Sequence, residues 1–474
     1  MSSPASDQDS TLPNPPAAQS RRDRVRDQQE TQWDSQWDSQ GTQFQGIQFQ
    51  WDPAQWWTRV RKPAEWLLYV AAIFVVLRNA VVLPLVEFGS DFVPIWDAVE
   101  AYTQGQPVYT ADYSSTDPHY LYSPGATLLL SPIGWVFSDF EVARYVMMLL
   151  GAVSILAALA WALRLLLGEL PTARELFQRP ESQYFWPLYA LTVFVTFLPE
   201  EPVQTTLVLT NINGFLLLVQ VVFAWALLRV MQVAPRPRSW RPADLWQATK
   251  VLPQGRWLET IIVGIALATA LTIKPQFVVL AGVTILTLQW IPLVIGAVIY
   301  LVWFGLGWIT MAQPEDFFTR LLPYLSEPRP YANGSIPGLA LEYGWPDPVT
   351  YVASAVMLIV AGLAVWFLLR FKHVDPVMWL FATIGVAFIG VLMVSGLVQA
   401  YYVIWLIPLA MTILRTYSPM YAVVPWLCFM LLFGDWGALG QWRPLAWAIL
   451  AVWIAIWAMR TIPNSTIPKK AVPA

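Results

Sequence analysis

The sequence predicts an all-α polytopic membrane protein with about 11–13 transmembrane helices and extracytoplasmic loops. Hydrophobic residues make up 57% of the chain and charged residues only 12%, whereas ordinary soluble domains carry about 25% charged residues. Apolar runs recur along the chain, and several approach the roughly 20 residues that a helix needs to cross the hydrocarbon. The net charge of −3 gives no electrostatic support for binding nucleic acid. The lipid bilayer is therefore the expected partner.

Residues 1–62 form a polar segment that is rich in Gln, Asp, Ser and Pro and contains the short repeat QWDSQWDSQ. Such a composition buries too little apolar surface to offset the entropy of ordering, so it predicts a disordered tail. The basic cluster from Arg59 to Lys62 places this tail in the cytoplasm by the positive-inside rule. A transmembrane domain is predicted over residues 63–462, followed by a short cytoplasmic C-terminal tail over 463–474.

Apolar runs then follow one another to the end of the chain. Some are shorter than a membrane span or contain Pro, which is typical of re-entrant or half-helices packed inside a bundle. Thirteen complete crossings would place the termini on opposite sides, so at least one run is predicted not to span, and the candidates are 124–137 and 185–198. The runs lie near 64–86, 124–137, 141–166, 185–198, 211–230, 258–273, 276–290, 291–311, 349–371, 377–395, 401–415, 419–433 and 444–460.

Basic residues orient the bundle. The loop 229–256 carries six Lys or Arg residues against one acid, and Arg164, Arg174 and Arg179 mark a second basic turn, so both are predicted to be cytoplasmic. Four polar segments then fall on the other face and are expected to build one extracytoplasmic site there. These segments are loop 87–123, residues 199–213, the helix break at Lys274 and loop 312–348.

The loop 87–123 holds six carboxylates and eight aromatic rings but no Lys or Arg. Asp91 lies within a few residues of the membrane boundary and is the first candidate for catalysis. A carboxylate there suits a general base acting on a sugar hydroxyl, a ligand for a hard divalent cation or a cap of a short helix. Asp97 and Glu100 are spaced three apart and are predicted to form the solvated face of that helix.

Two cations lie at unusual depth. Arg78 is inside the first apolar run, and Lys274 precedes a Pro that breaks a later run. Charges at such positions commonly mark a site or pathway, although long basic side chains also snorkel to the interface. Broken helices near a membrane face often bind polar ligands. Arg78 and Lys274 are therefore candidates for neutralising a lipid phosphate.

Several uncharged or weakly basic groups are further candidates. Asn211 and Asn213 begin an apolar helix, where they would either cap it or bind sugar hydroxyls. His119 could contact a phosphate or donate a proton, or it could be a bystander. In the late loop Asn333 is a substrate-binding candidate, and Tyr401 at the outer end of a later helix could bind substrate or belong to an aromatic belt.

Other chemistries find no support in the sequence. It has no Walker loop, no GxGxxG motif after a strand, no HExxH motif and no metal-spaced Cys/His cluster. The single cysteine, Cys428, excludes an intramolecular disulfide. A glycosyl transfer would therefore need a lipid-linked donor. The sequence identifies no cofactor with certainty, and a divalent cation at Asp91 stays open.

The order of these elements resembles a known family. SDF (90–92), GQPVY (105–109) and YSPG (122–125), followed by TNING, IKP and YANGS, are similar to elements of the GT-C class of polyprenyl-phosphate-sugar-dependent glycosyltransferases. The family 87 type, which holds mycobacterial mannosyltransferases and arabinofuranosyltransferases, is the most similar, over about residues 64–460. The runs DPHYLYSPG, LVLTNINGFLLL, FFTRLLPY and QAYY look like its branching α-(1→3)-arabinofuranosyltransferases. Ser123 departs from the family, which usually has a second Pro there.

The resemblance implies a GT-C bundle in the plasma membrane with its active site on the extracytoplasmic face. It implies inverting transfer of arabinofuranose from decaprenyl-phospho-arabinose to an arabinan acceptor, making α-(1→3) branches in arabinogalactan and lipoarabinomannan during cell-wall synthesis. Asp91 would be the general base, and Arg78, Lys274 and His119 would bind the donor phosphate. The motif positions Tyr109 and Tyr122 would contact substrate. The alternatives are a polyprenyl-phospho-mannose-dependent mannosyltransferase and a lipid-linked sugar transporter or flippase.

Overall fold

A computed structural model describes most of the chain after residue 52. The described ranges are 53–86, 89–115, 117–175, 178–233, 255–329, 333–434 and 442–463. Within them every regular element is helical, and the one β feature is an isolated bridge between Pro107 and Ala312. Seven helices are long and apolar enough to cross a membrane, and five shorter apolar helical segments accompany them. The predicted all-α polytopic membrane fold is confirmed.

The described α-helices are numbered in chain order. They are α1 Pro53–Leu77, α2 Val93–Thr103, α3 Pro124–Leu130, α4 Pro132–Val136, α5 Phe140–Leu166, α6 Phe185–Phe197, α7 Thr205–Val208, α8 Asn213–Val233, α9 Trp257–Ile273, α10 Val278–Leu286, α11 Trp290–Thr310, α12 Leu322–Ser326, α13 Ile336–Tyr343, α14 Asp347–Leu368, α15 Pro376–Val394, α16 Ile407–Ala410, α17 Val423–Phe433 and α18 Arg443–Arg460.

Wider or tighter helical turns extend several of these helices or precede them. The wider π turns cover Arg78–Val82 and Phe317–Leu321, and Glu200–Gln204 is a kinked segment with extended backbone at Glu201. The tighter 3₁₀ turns cover Leu83–Leu85, Pro275–Phe277, Leu369–Phe371, Ala400–Leu406, Met411–Leu414 and Pro419–Tyr421. Because π turns frequently occur at functional sites, the two π turns favour a site in the segments that contain them.

Helix α1 begins earlier than predicted. It starts at Pro53, so the last ten residues of the predicted disordered tail are helical instead. Pro suits the first turn of a helix, where its missing N–H has no partner to lose, and the apolar run continues the helix. The rest of the predicted tail, the C-terminal residues from 464 onward and residues 234–254 of the predicted cytoplasmic loop lie outside the described residues.

The two candidates for a run that does not span are both short in the structure. The run 124–137 divides at Pro132 into α3 with 7 residues and α4 with 5. Helix α6 has 13 residues, which correspond to about 20 Å of rise. The hydrocarbon is about 30 Å thick, so neither run crosses it as a regular α-helix.

The core lies between α8, α9 and α15. Helix α9 packs between α8 and α11, α5 packs on α8, and α14 packs on both α15 and α18. The most hydrophobic windows of α8 and α15 are 72% and 83% buried, whereas the equivalent window of α11 is 11% buried. Because the outward side of α11 is apolar, it suits contact with lipid tails.

Four polar segments that the sequence analysis assigned to one face do meet in space. Pro107 of loop 87–123 bridges to Ala312 of loop 312–348. The hydroxyl of Ser123 in the same loop donates to the carbonyl of Thr272, beside the helix break, at 2.9 Å. From the segment 199–213, the Asn211 amide donates to Asp91 of the loop at 3.5 Å. The predicted gathering of these segments is confirmed.

Buried ion pairs hold the helices at the opposite end of the bundle. Arg164 pairs with Glu169 at 2.8 Å, Arg229 with Glu259 at 3.5 Å, and Arg415 with Asp375 at 2.9 Å. Their acidic side chains are all at most 11% exposed. Because leaving one partner of such a pair uncompensated is costly, these pairs fix the ends of their helices.

Candidate active site

Asp91 lies in the turn that joins the first membrane helix to α2. Arg144 donates from Nη1 to the carbonyl of Pro84 at 3.1 Å, and its side chain packs directly on Gly89. Gly89 has φ = +68°, and a Cβ there would lie 2.7 Å from Cδ of Arg144. A glycine is required because both the left-handed backbone and the missing Cβ are needed. Arg144 and Gly89 thus fix where Asp91 lies.

Two neutral donors from distant parts of the chain contact the Asp91 carboxylate. The Tyr401 hydroxyl donates to Oδ2 at 2.8 Å, and the Asn211 amide donates to the same oxygen at 3.5 Å. Asn211 is oriented by its own turn, in which its Oδ1 accepts from the Asn213 N–H at 3.1 Å and Thr210 has φ = +53°. Residues from three separate segments therefore converge on one oxygen.

Burial raises the pKa of Asp91 above its usual value, because the charged form is poorly solvated there. The Tyr401 hydrogen bond, the charge of Lys274 and the Asn211 hydrogen bond act in the opposite direction, in that order, without cancelling the effect of burial. A carboxylate with raised proton affinity is a better base than an exposed one. Asp91 consequently suits proton abstraction from a hydroxyl group.

Lys274 occupies the break between α9 and the 3₁₀ turn before α10. It is only 8% exposed, and its Nζ lies 4.0 Å from the centre of the Tyr402 ring and 5.4 Å from that of Trp405. It forms no ion pair with any described carboxylate, although its charge reaches Asp91. A buried ammonium held mainly by ring faces favours binding of an anion.

The end of the acidic loop is joined to this region through Tyr122 and Ser123. Tyr122 lies close enough to Asp91 and Tyr402 for their charges to affect it. Ser123 accepts from the Ala126 N–H at 3.3 Å as the N-cap of α3, in addition to its bond to Thr272. Tyr109 is buried and donates to the Tyr122 carbonyl at 2.9 Å. Tyr109 therefore supports the loop from within, while Tyr122 is within electrostatic range of the carboxylate.

Arg78 is placed in the π turn after α1. Its Nη1 donates to Oδ1 of Asn79 at 2.9 Å and to Oε1 of Gln204 at 2.8 Å. Asn79 in turn donates to the carbonyl of Phe197. The guanidinium therefore binds neutral amides inside the bundle, and no contact joins it to Lys274 within the described residues. The segment that holds Gln204 packs on Ala400–Leu406, so Arg78 supports the backbone that carries Tyr401.

His119 lies in a separate cluster. Its ring packs against Tyr113 and Tyr324, with centroid separations of 5.3 Å and 5.2 Å. No contact connects it to Lys274 in the part of the chain that the structure describes, so the structure does not place it with the candidate phosphate-binding cation.

Asn333 has no hydrogen-bonding capacity left for a substrate. Its amide donates to the carbonyls of Arg329 and Gly396, and its Oδ1 accepts from the N–H groups of Ser335 and Val398. The predicted sugar-binding role is wrong on this geometry, because backbone groups use both amide protons and both lone pairs of the oxygen. Tyr331, from the same late loop, lies outside the described residues.

Asn213, another candidate, is fully buried, and both polar atoms of its side chain are without a hydrogen-bond partner among the described residues.

Asp97 and Glu100 are exposed on α2 as predicted. The remaining acids do not assemble a metal site, since no group of three or more His, Cys, Asp or Glu side chains in the described ranges is arranged to hold an ion.

Sequence reasoning missed Arg144, Gln204, Tyr402 and Trp405. Arg144 carries a signal like that of Arg78, a charge within a long apolar run, but near the start of its helix rather than after the end of one. Gln204 and the two rings carry no comparable signal, because polar amides and aromatic residues are common at membrane interfaces.

Comparison with known proteins connects this geometry to a family. The profile of glycosyltransferase family 87 matches residues 120–396. That range begins after Asp91 and ends before Tyr401, but it contains Asn211 and Lys274. No solved structure is significantly similar to the chain.

Several characterised proteins are similar over most of the chain. An α-(1→3)-arabinofuranosyltransferase of Corynebacterium glutamicum is 30% identical over 371 residues, which cover 77% of this chain and 75% of that protein. The enzyme of the same name from Mycobacterium tuberculosis is 30% identical over 348 residues, covering 73% and 71%. That from Mycolicibacterium smegmatis is 30% identical over 382 residues, covering 79% and 78%.

The hydrogen bonds of Asn333 predict a stability effect. Asn333→Ala should lower the free energy of unfolding by about 1–3 kcal/mol, because buried backbone groups of two segments lose their partners. Asn333→Asp, which keeps the acceptor oxygen but loses the amide donors, should also lower it. The thermal midpoint of the detergent-solubilised protein measures both variants. Unchanged midpoints would show that Asn333 does not join these segments.

Proposed function

The chain belongs to glycosyltransferase family 87, and on that premise we propose that it transfers arabinofuranose from decaprenyl-phospho-arabinose to an arabinan hydroxyl. The transfer would make α-(1→3) branches in arabinogalactan and lipoarabinomannan. Three relatives from actinobacteria carry the corresponding activity in their names. The observation that carries the proposal is the half-buried Asp91 carboxylate, which is bound by Tyr401 and lies within the field of Lys274.

In the proposed reaction Asp91 accepts the proton of the acceptor hydroxyl while that oxygen attacks the anomeric carbon. The bond between the anomeric carbon and the phosphate oxygen breaks, and its electron pair leaves with the lipid phosphate. One carboxylate is sufficient for this single displacement with inversion, because the phosphate leaves as a stable anion. Glycosidases differ in that they must also protonate the leaving group.

Lys274 is the proposed partner of the leaving phosphate. Its ammonium is already desolvated and held by the rings of Tyr402 and Trp405, so little reorganisation is needed when charge develops. Preorganised charge of this kind is usually among the largest contributions to catalysis. The site offers one carboxylate with neutral neighbours, which is a weak ligand set for a hard divalent cation. The mechanism therefore relies on Lys274 for charge neutralisation.

The proposed active site lies on the extracytoplasmic face of the plasma membrane. Loop 87–123 contains no Lys or Arg, whereas Arg164, Arg229 and Arg415 lie at the other end of the bundle. The positive-inside rule assigns the basic end to the cytoplasm. A lipid-linked donor would then present its phosphate near the helix break at Lys274.

Asp91→Asn should lower the transfer rate by about 10²–10⁴-fold, the usual contribution of a general base. The measurement is incorporation of radiolabelled arabinose from synthetic lipid-phospho-arabinose into an oligo-arabinoside by purified enzyme. Asp97→Asn, on the exposed face of α2 nearby, is the matched control and should leave the rate unchanged. Full activity of Asp91→Asn would remove Asp91 from the mechanism. If the wild-type enzyme transferred sugar only from lipid-phospho-mannose and not from lipid-phospho-arabinose, the proposed donor would be wrong.

Tyr401→Phe should shift the pH profile of kcat/KM. Asp91 must be deprotonated to act as a base, so activity is lost as the pH falls through its pKa, which burial has already raised. Removing the Tyr401 hydroxyl takes away a hydrogen bond that stabilises the carboxylate, so the acidic limb should move to higher pH. Tyr189→Phe, which removes a hydroxyl bound to the carbonyl of Leu156, is the control. An unmoved acidic limb in Tyr401→Phe would contradict the assignment.

Lys274→Met should lower kcat/KM by on the order of 100-fold by removing a preorganised cation from the leaving phosphate. Lys372→Met is a matched control, because Lys372 is also partly buried and lies 5.7 Å from the centre of the Trp379 ring, but on a different helix break. Steady-state kinetics with varied lipid donor measure the effect. Equal effects of the two substitutions would indicate a structural role for Lys274.

A further inference from the structure

A second cluster of side chains lies between the acidic loop and the segment that carries α12. The His119 ring packs edge-on against Tyr113, and the rings of Tyr113 and Tyr324 are 4.9 Å apart. His119 is 8% exposed. The three rings form a compact aromatic wall, called the His119 cluster, that has no part in the chemistry at Asp91.

Polar atoms in the His119 cluster are buried without partners. Nε2 of His119, the hydroxyl of Tyr113 and Nη2 of Arg329 have no hydrogen-bond partner within the described residues. Leaving a buried polar group unsatisfied costs about 1–3 kcal/mol, and most such groups in native proteins are bonded. Three of them around one set of ring faces indicate a ligand that brings both hydrogen-bonding groups and an apolar face.

The arginines at the cluster are partly engaged in holding its two segments together. Arg320 donates to the carbonyls of Thr110 and Ala111, and Arg329 lies with Cζ 4.6 Å above the Tyr324 ring. Asp112 follows Thr110 and Ala111 directly in the chain, and hydrogen bonds from Ser114 lower the pKa of its carboxyl. The mixture of an acid with engaged cations suits a neutral hydroxylated ligand better than an anion.

Tyrosines connect this cluster with the candidate catalytic carboxylate. Tyr120 follows His119 directly in the chain, its ring lies 5.3 Å from that of Tyr122, and Tyr122 is within electrostatic range of Asp91. Residues 119–122 therefore run from the cluster toward the region of Asp91. An extended oligosaccharide with its reacting hydroxyl at Asp91 would follow this stretch with a sugar further along its own chain.

We propose that the His119 cluster is a subsite for a distal sugar residue of the acceptor, bound by the Tyr113 and Tyr324 ring faces and by hydrogen bonds to His119 Nε2 and the Tyr113 hydroxyl. This subsite rests on the proposed function, because it needs an acceptor glycan at Asp91. The subsite makes the enzyme selective for acceptors that are long enough to reach both Asp91 and the His119 cluster. Binding of this kind uses a mostly apolar wall and a few placed polar groups.

The test uses the double variant Tyr113→Phe/His119→Phe, which keeps aromatic rings at both positions but removes both polar groups. Its KM for a hexa-arabinoside acceptor should rise about tenfold, which corresponds to about 1.4 kcal/mol. Its KM for a disaccharide acceptor, its KM for the lipid donor and its kcat should not change. Tyr189→Phe serves as the control. Equal KM changes for both acceptors, or no change for either, would overturn the subsite.

Calorimetric titration of the hexa-arabinoside into the full-length protein without donor gives a readout that does not depend on transfer. Weaker binding by the double variant than by wild type supports the subsite. If wild type binds the hexasaccharide but transfers no sugar, the proposed function fails while the glycan subsite stands. If wild type transfers sugar but the variant binds the hexasaccharide equally well, the subsite fails alone. If the double variant lost binding of inorganic phosphate but kept binding of the hexasaccharide, the cluster would be an anion site and the inference would be overturned.

Discussion

The hydrogen bond from Tyr401 to Asp91 joins residues that are 310 positions apart in the chain, and the site depends on it. It connects the first loop after α1 to the tight helical turn Ala400–Leu406. The next residue of that turn, Tyr402, places its ring against Lys274. One contact therefore fixes the base, the cation and the aromatic support relative to one another. Such a contact cannot form until nearly the whole bundle has assembled, so the site is a product of global rather than local folding.

The energetics of Lys274 explain why its surroundings suit an anion. Removing an ammonium from water costs several kcal/mol even after relaxation, and a desolvated cation–π contact contributes only about 2 kcal/mol. Asp91 adds a favourable interaction but does not reach ion-pair distance, because its carboxylate is bound by Tyr401 and Asn211. The remaining cost is met by stability elsewhere in the core. A phosphate beside Lys274 would offset that cost, and this relief would contribute to the binding of the donor.

Hydrophobic periodicity and loop charge were sufficient to predict the long apolar helices and the gathering of four polar segments at one end, because burial and the bilayer determine both. Loop charge and family motifs also named Asp91 and Tyr401 as candidates, and only the structure shows that these residues touch. Asn333 was misassigned because an amide in a polar loop looks the same whether it binds backbone or sugar. The pairing of Arg78 with Gln204 was equally invisible, since it joins residues 126 positions apart in the chain. Sequence patterns give residue type and depth, whereas hydrogen-bond satisfaction is a property of three-dimensional packing.

The buried arginines of the bundle and the two charges of the candidate site differ in their partners, and the difference separates structure from chemistry. Even near the candidate site, Arg144 contacts the carboxylate of Glu141 directly at 2.8 Å. At the basic end, Arg164, Arg229 and Arg415 each contact a carboxylate directly, which removes most of the cost of burial and leaves no charge for a ligand. At the other end, Asp91 and Lys274 are near each other but not paired. A direct ion pair there would lower the proton affinity of Asp91 and occupy Lys274, which would weaken both as catalytic groups. Separation by Tyr401 and Tyr402 keeps each charge available to a different part of the substrate, the base to a hydroxyl and the cation to a phosphate.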